Sequence, residues 1–160
     1  MYIQSDVRKG NAENVLTKEI VAQHRYLIFP LHSETNPSAR YNHWTLLVVD
    51  MKSNEWKYYN SSTPRTAATS DVYINDANDM KTYVEETALV MGLSRIPIGQ
   101  PLKVELSPQQ KAGSTDCGVI VLYIIREYFL QMPLEVKEAE EGVAEMRKDI
   151  VVHLLNYKIK

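Results

Sequence analysis

The chain has a single cysteine in 160 residues, together with two phenylalanines, two tryptophans and six glycines. A lone cysteine excludes an internal disulfide framework and, having no second thiolate beside it, a thiolate zinc site. A reducing setting, nucleus or cytoplasm, is therefore expected. No apolar run reaches the length needed to span a bilayer, and the opening "MYIQSDVRKGNAEN" lacks the core of a secretory leader, so no membrane association is expected. Charge of one sign is also missing. Eighteen basic residues face twenty acidic ones, a net charge of −2, which offers no bulk attraction to nucleic acid or anionic lipid. The four histidines, His24, His32, His43 and His153, show no metal-ligand spacing, so neither metal nor another cofactor is expected. Repeats, low-complexity tracts and linkers are absent, and 44% hydrophobic content suits one domain over residues 1–160, expected as a monomer.

What is present is a mixture of periodicities. Val15, Leu16, Ile20 and Val21 lie at helical spacing within 11–23. "RYLIFPL" (25–31) reads as a strand ending in a turn at Pro30, and the polar stretch 32–42 as a loop. "HWTLLVVDM" (43–51) is dense in β-branched and apolar residues, as in a strand covered on both faces. "MKSN" turns the chain, and "EWKYYNS" (55–61) returns antiparallel, with Trp56 and Tyr58 on the core side. Met80, Tyr83, Val84, Ala88 and Met91 predict a helix over 78–93 that stops near Gly92. Leu102, Val104 and Leu106 alternate as in a half-buried strand. A buried helix over 117–130, stopped by Pro133, and an amphipathic helix over 137–156 complete an α+β order.

The chemistry concentrates in "PQQKAGSTDCGVIVLYIIREYF", residues 108–129. Cys117 has two readings. As packing it is a small buried thiol. As a nucleophile it stands at a predicted helix start, where unpaired backbone N–H groups and the helix dipole favour the thiolate. "AGST" before it and Gly118 after it allow a tight turn and close approach of a substrate backbone. A thiolate needs a base, a group that orients the base, and oxyanion donors. His43 opens the buried strand and Asn60 closes its antiparallel return, so the hairpin makes them neighbours. Gln109 and Gln110 offer side-chain amide N–H groups shortly before Cys117. From the residues alone both readings of Cys117 remain open.

"HW" opening an apolar strand, "YYNS" closing the next and "PQQ…DCG" entering a helix resemble the ubiquitin-like-protein proteases of the SUMO protease type. The adenovirus-type cysteine proteases share that architecture, and "GSTDCGVIVLY" is similar to plant members. The resemblance spans His43 to Phe129. It implies a papain-like, adenain-like fold with a central mixed β-sheet flanked by helices and the nucleophile at the N-terminus of a buried helix. It further implies Cys117 as nucleophile, His43 as general base and acid, Asn60 as its orienting partner and Gln110 as oxyanion donor, with Gln109 as fallback. Trp44 would wall a channel for a Gly-Gly tail, where an indole leaves room only for residues without a β-carbon. The implied partner is a ubiquitin-like modifier, SUMO first, and its conjugates. The implied reaction is precursor maturation or isopeptide cleavage.

Three departures qualify what the resemblance implies. The family usually has aspartate where Asn60 stands, so either activity is lower or Asp50 or another acid assists. Gln110 lies seven residues before Cys117, the adenovirus-type offset, one more than the common spacing. The family's N-terminal segment, with a second tunnel tryptophan, has no counterpart in residues 1–42, so the chain reads as lacking part of the family domain. Two other classes fit the same residues: a modifier-binding module with a weakened site, and an acyltransferase with a similar Cys-His pair.

Overall fold

The computed structural model describes residues 16–34, 42–62, 71–111, 113–134 and 139–156. The elements run α1 (Lys18–Gln23), β1 (Tyr26–Glu34), β2 (Asn42–Asp50), β3 (Glu55–Tyr59), α2 (Ile74–Met91), β4 (Leu102–Val104), α3 (Cys117–Leu130) and α4 (Ala139–Asn156). The strands form one mixed sheet in the order β1-β2-β3-β4, antiparallel through β3 and parallel between β3 and β4.

The sheet lies between two helical layers, and the alternation of β2 assigns residues to each. Leu47 and Val49 join Phe29, Leu31, Trp56 and Tyr58 under α1 and α2, which contribute Val21, Ala77, Met80, Val84 and Ala88. Leu46 and Val48 face the other way, onto Tyr59 and the helices α3 and α4 through Ile120, Ile124, Val143 and Met146. Leu46, Leu47, Val48 and Val49 are all 0% exposed, so β2 is the two-faced core strand that its composition predicts. Each such side chain contributes about 1.5–3 kcal/mol by leaving water. Trp56 is fully buried as expected, and its indole N–H donates to the Pro97 carbonyl at 2.9 Å.

Several boundaries differ from expectation for physical reasons. β1 continues through Pro30 to Glu34, because an edge strand tolerates a residue without an N–H. Of the helix predicted over 11–23, the structure shows Lys18–Gln23, capped by the Thr17 hydroxyl, and residues 1–15 lie outside the described residues. The tight turn after Asp50 follows "MKSN" as read, with Asn54 at φ 59° and the Asp50 carboxylate accepting from the Lys52 and Ser53 N–H groups. α2 starts four residues earlier than its apolar stripe suggests and ends at Gly92, whose φ of 67° completes the cap. β4 is only three residues long. Val104 is 53% exposed and Leu106 is 81% exposed, because the chain leaves the sheet edge and its alternation no longer meets a core. α3 spans Cys117–Leu130 as predicted, while α4 begins at Ala139 and buries Val143 and Met146.

Candidate active site

β2 begins where the two layers meet. Its first residues alternate like the rest, so His43 falls on the α2 side and Trp44 on the α3 side. Continuing the register from Leu46↔Tyr59 places Thr45 opposite Asn60, which makes His43 and Asn60 a diagonal pair on one face. Their side chains meet: His43 Nε2 lies 2.8 Å from Asn60 Oδ1, with the two residues 4% and 2% exposed. On its other side the imidazole faces the Cys117 thiol, and the two groups are coupled. Tyr73 covers the ring, with centroids 4.3 Å apart.

Cys117 is the first residue of α3 and is itself buried. Burial pushes its thiol up. The hydrogen bond and charge of His43, with the backbone N–H groups of Trp44 and Gly118, more than offset that and hold it below the ordinary thiol range. For His43 burial acts downward. The bonds to Cys117 and Asn60, and the charges of Cys117 and Asp71, outweigh it and raise the imidazole above its usual value. The two shifts converge on a thiolate–imidazolium pair. Asp116, just before the helix, carries a charge that would oppose the thiolate, and it is engaged by Arg147 of α4.

Trp44 is half-buried. Its indole lies against Gly118, where an added Cβ would sit 3.6 Å away, and it is tilted against the His32 ring with centroids 4.7 Å apart. The tight turn that "AGST" allows falls at Gly113, with φ 80°, while Gly118 is helical. What Gly118 gives the site is its backbone N–H.

Both glutamines are stitched to the end of β3. Gln110 donates its backbone N–H to the Ser61 carbonyl at 2.9 Å. Gln109 uses its side-chain amide N–H groups on the carbonyls of Asn60 and Ser107, each at 3.0 Å. The Gln110 Oε1 is buried with no hydrogen-bond partner among the described residues.

Asp50 does not assist His43. It sits at the far end of β2, seven residues or about 23 Å along the strand, where Arg25 and Lys57 neutralise it. The acid near the site is Asp71, which the sequence reading did not single out. Its signal was an aspartate shortly before a helix start, hidden because α2 was expected to begin later. Among the described residues, no group of three or more His, Cys, Asp or Glu could hold a metal ion, and no helix is long and apolar enough to cross a membrane.

A cysteine opening a buried helix, coupled to a histidine that opens a two-faced central strand with a side-chain amide behind it, defines the papain-like, adenain-like class of cysteine peptidase folds. The family model for the Ulp1 protease family, C-terminal catalytic domain, matches residues 4–154, and the chain belongs to that family. Comparison with curated protein sequences gives no significant match. Among solved structures the chain is similar to the SUMO protease Ulp1 with its catalytic cysteine oxidised to a sulfenic acid, at TM-score 0.64 and 18% identity over 93% of this chain. It is also similar to the C-terminal Ulp1 protease domain in complex with Smt3, the yeast ortholog of SUMO, at TM-score 0.58 and 20% identity over 91% of this chain. The chain spans 63% and 57% of the lengths of those two proteins.

Proposed function

We propose that this chain is one catalytic domain of a thiol peptidase that cleaves after the C-terminal Gly-Gly of a ubiquitin-like modifier, SUMO foremost, in precursors or in isopeptide conjugates. The observation that carries the proposal is the buried Cys117–His43–Asn60 arrangement, with the thiol held low and the imidazole held high. Membership of the Ulp1 family and the Smt3 complex of a similar domain support the choice of modifier.

The chemistry follows from the geometry. Cys117 attacks the carbonyl of the terminal glycine as a thiolate, and the electron pair moves onto the oxygen. The Gln110 side-chain amide and the Cys117 backbone N–H receive that oxyanion; Gln109, pinned to Asn60 and Ser107, is not available for this role. The imidazolium of His43 gives its proton to the leaving amine as the C–N bond breaks, which leaves a thioester. Neutral His43 then takes a proton from water, whose oxygen attacks the thioester, and the thiolate departs. Trp44, lying over Gly118, restricts the approach to residues without a β-carbon. A single thiol that must stay reduced suits the nucleus or cytoplasm.

The test is turnover of C-terminal fluorogenic amides of SUMO, other ubiquitin-like proteins and ubiquitin by the whole chain and by its Cys117→Ala variant. Release of fluorophore that disappears in the variant is expected. Tight modifier binding without turnover would overturn the proposal in favour of a binding module. Acetyl-CoA-dependent labelling would overturn it in favour of an acyltransferase.

A further inference from the structure

The residue that normally supplies charge behind the histidine is here a neutral amide, yet the imidazole is still raised. The hydrogen bonds show where the charge has gone. Asn60 Oδ1 accepts from His43 Nε2 at 2.8 Å and from the Ser62 N–H at 2.8 Å. Asn60 Nδ2 donates to Asp71 Oδ2 at 2.8 Å. The second oxygen of Asp71 accepts from the Tyr73 N–H at 3.0 Å, and Tyr73 is the residue whose ring covers His43.

We propose that Asp71 is a positioning residue of this site: it locks the Asn60 amide in the orientation that orients His43 and supplies, one side chain further out, the negative charge that Asn60 lacks. The inference rests on reading Cys117 and His43 as the reactive pair. The lock is a matter of donors and acceptors. Were the amide to flip, Nδ2 would face the Ser62 N–H and Oδ1 would face a carboxylate, so both of those contacts would become repulsive. With Oδ1 fixed toward His43, Nε2 must carry its proton, which leaves Nδ1 to serve the thiol. Asp71 therefore sets the tautomer of a residue it does not touch. Because His43 and Asn60 are almost wholly buried, its charge is weakly screened and stabilises the imidazolium through Asn60.

Among the described residues, the charged and titratable groups around His43 are few. Cys117 approaches from α3. Asp71 and Tyr73 come from the segment entering α2, and Asp76 of α2 is taken up by Ser33 of β1. The buried Tyr58 phenol of β3 is kept protonated by burial and by the charge of Asp71. Asp71 is thus the anion coupled to His43 from the side away from the thiolate.

The arrangement also explains why the usual residue would fail here on its own. An aspartate at position 60 would press two carboxylates together across the 2.8 Å contact now made by an amide. Aspartate at 60 requires a neutral partner at 71. The experiment is a cycle of four proteins: the native chain, Asp71→Asn, Asn60→Asp, and the Asn60→Asp/Asp71→Asn exchange. In each, the His43 titration is followed by NMR, and the pH profile of Cys117 alkylation by iodoacetamide is recorded. An asparagine at 71 still accepts from the Tyr73 N–H, but its amide nitrogen then faces Asn60 Nδ2, so Asp71→Asn should melt somewhat earlier than native and stay folded at the temperature of the titration. Asp71→Asn is expected to move the His43 midpoint to lower pH and to lower kcat on a modifier amide by roughly ten- to a hundredfold. Asn60→Asp should also impair the site, and the exchange should restore the His43 midpoint toward native. An unchanged midpoint in a folded Asp71→Asn protein would overturn the proposal, as would an exchange no better than either single variant. The NMR and alkylation readouts need no modifier, so failure to cleave any modifier would refute the proposed function without touching this test.

Discussion

Removing His43 tests the thiolate–imidazolium pair most directly. Without the imidazole, Cys117 keeps the two backbone N–H groups but faces burial that drives its thiol upward. An ordinary thiol with a pKa of about 8.5 is about 3% thiolate at pH 7, and burial lowers that fraction further. The native thiol is held below its ordinary range, so His43→Ala should lower the thiolate population at pH 7 toward or below that small fraction. The variant also loses the proton donor to the leaving amine, a contribution of about 10²–10⁴. Because one imidazole performs both tasks the two factors overlap, and the expected fall in kcat/KM is about 10³ or more. His43→Gln serves as the control, since a glutamine can still bond Asn60 without titrating. Thiolate absorbance in the ultraviolet should follow a depressed midpoint in the native protein and an elevated one in both variants. The sign is fixed by the two shifts: native activity should rise as pH climbs through the lowered Cys117 value and fall as it passes the raised His43 value. A variant that keeps full thiolate absorbance at pH 7, or hydrolyses amides within tenfold of native, would refute the pairing.

Three further outcomes are expected. Asp50→Ala should cost about 2 kcal/mol in urea unfolding at pH 7 by removing the contacts to Arg25 and to the Lys52 and Ser53 N–H groups, while activity per folded molecule is unchanged. Because the folded Asp50 carboxyl is held low, that contribution is present above its ordinary value and is lost as pH falls through the folded one, so native and variant stabilities should converge in acid. Gly118→Ala should fold with a Tm equal to or above native, since the new Cβ meets Trp44 at an ordinary 3.6 Å and alanine favours a helix by up to about 1 kcal/mol; a marked loss of stability would show that the indole cannot accept it. Gln109→Ala should lower thermal stability, whereas Gln110→Ala should leave the melt intact and lower kcat by about 10²–10³; the reverse pattern would exchange their roles.

The parts of the site legible in the sequence were those governed by short-range rules. A dense apolar and β-branched run identified β2, a four-residue turn brought β3 back, and the hairpin then made His43 and Asn60 neighbours before any coordinates were considered. The start of α3 at Cys117 followed from a polar, glycine-containing segment running into an apolar one. What was not legible depended on where side chains point once the layers pack. Asp50 and Asp71 look alike in the sequence, but Asp50 lies at the wrong end of its strand and Asp71 precedes the helix over the His43 face. Gln109 and Gln110 are adjacent and chemically identical, and only the carbonyls of Asn60 and Ser107 distinguish them. The strand read over 101–107 forms only over Leu102–Val104 for the same reason: alternation in Val104 and Leu106 has no meaning without a layer to cover it.

The placement of charge follows from two helices beginning at the same end of the sheet. The thiol of Cys117 opens α3 and the carboxylate of Asp71 precedes α2, so each anion of the site stands where helix N–H groups and the dipole favour negative charge. His43 lies between them near the start of β2, coupled to the thiol directly and to the carboxylate through Asn60. A cation between two anions seated on helix starts is stable in a buried setting that would expel an isolated imidazolium. An aspartate touching the histidine achieves the same balance in fewer parts, and a neutral amide achieves it only if an acid stands behind. Asn60 therefore does not by itself mark a weakened site. Its consequence, on the proposal made above, is that the competence of the site depends on Asp71, ahead of α2.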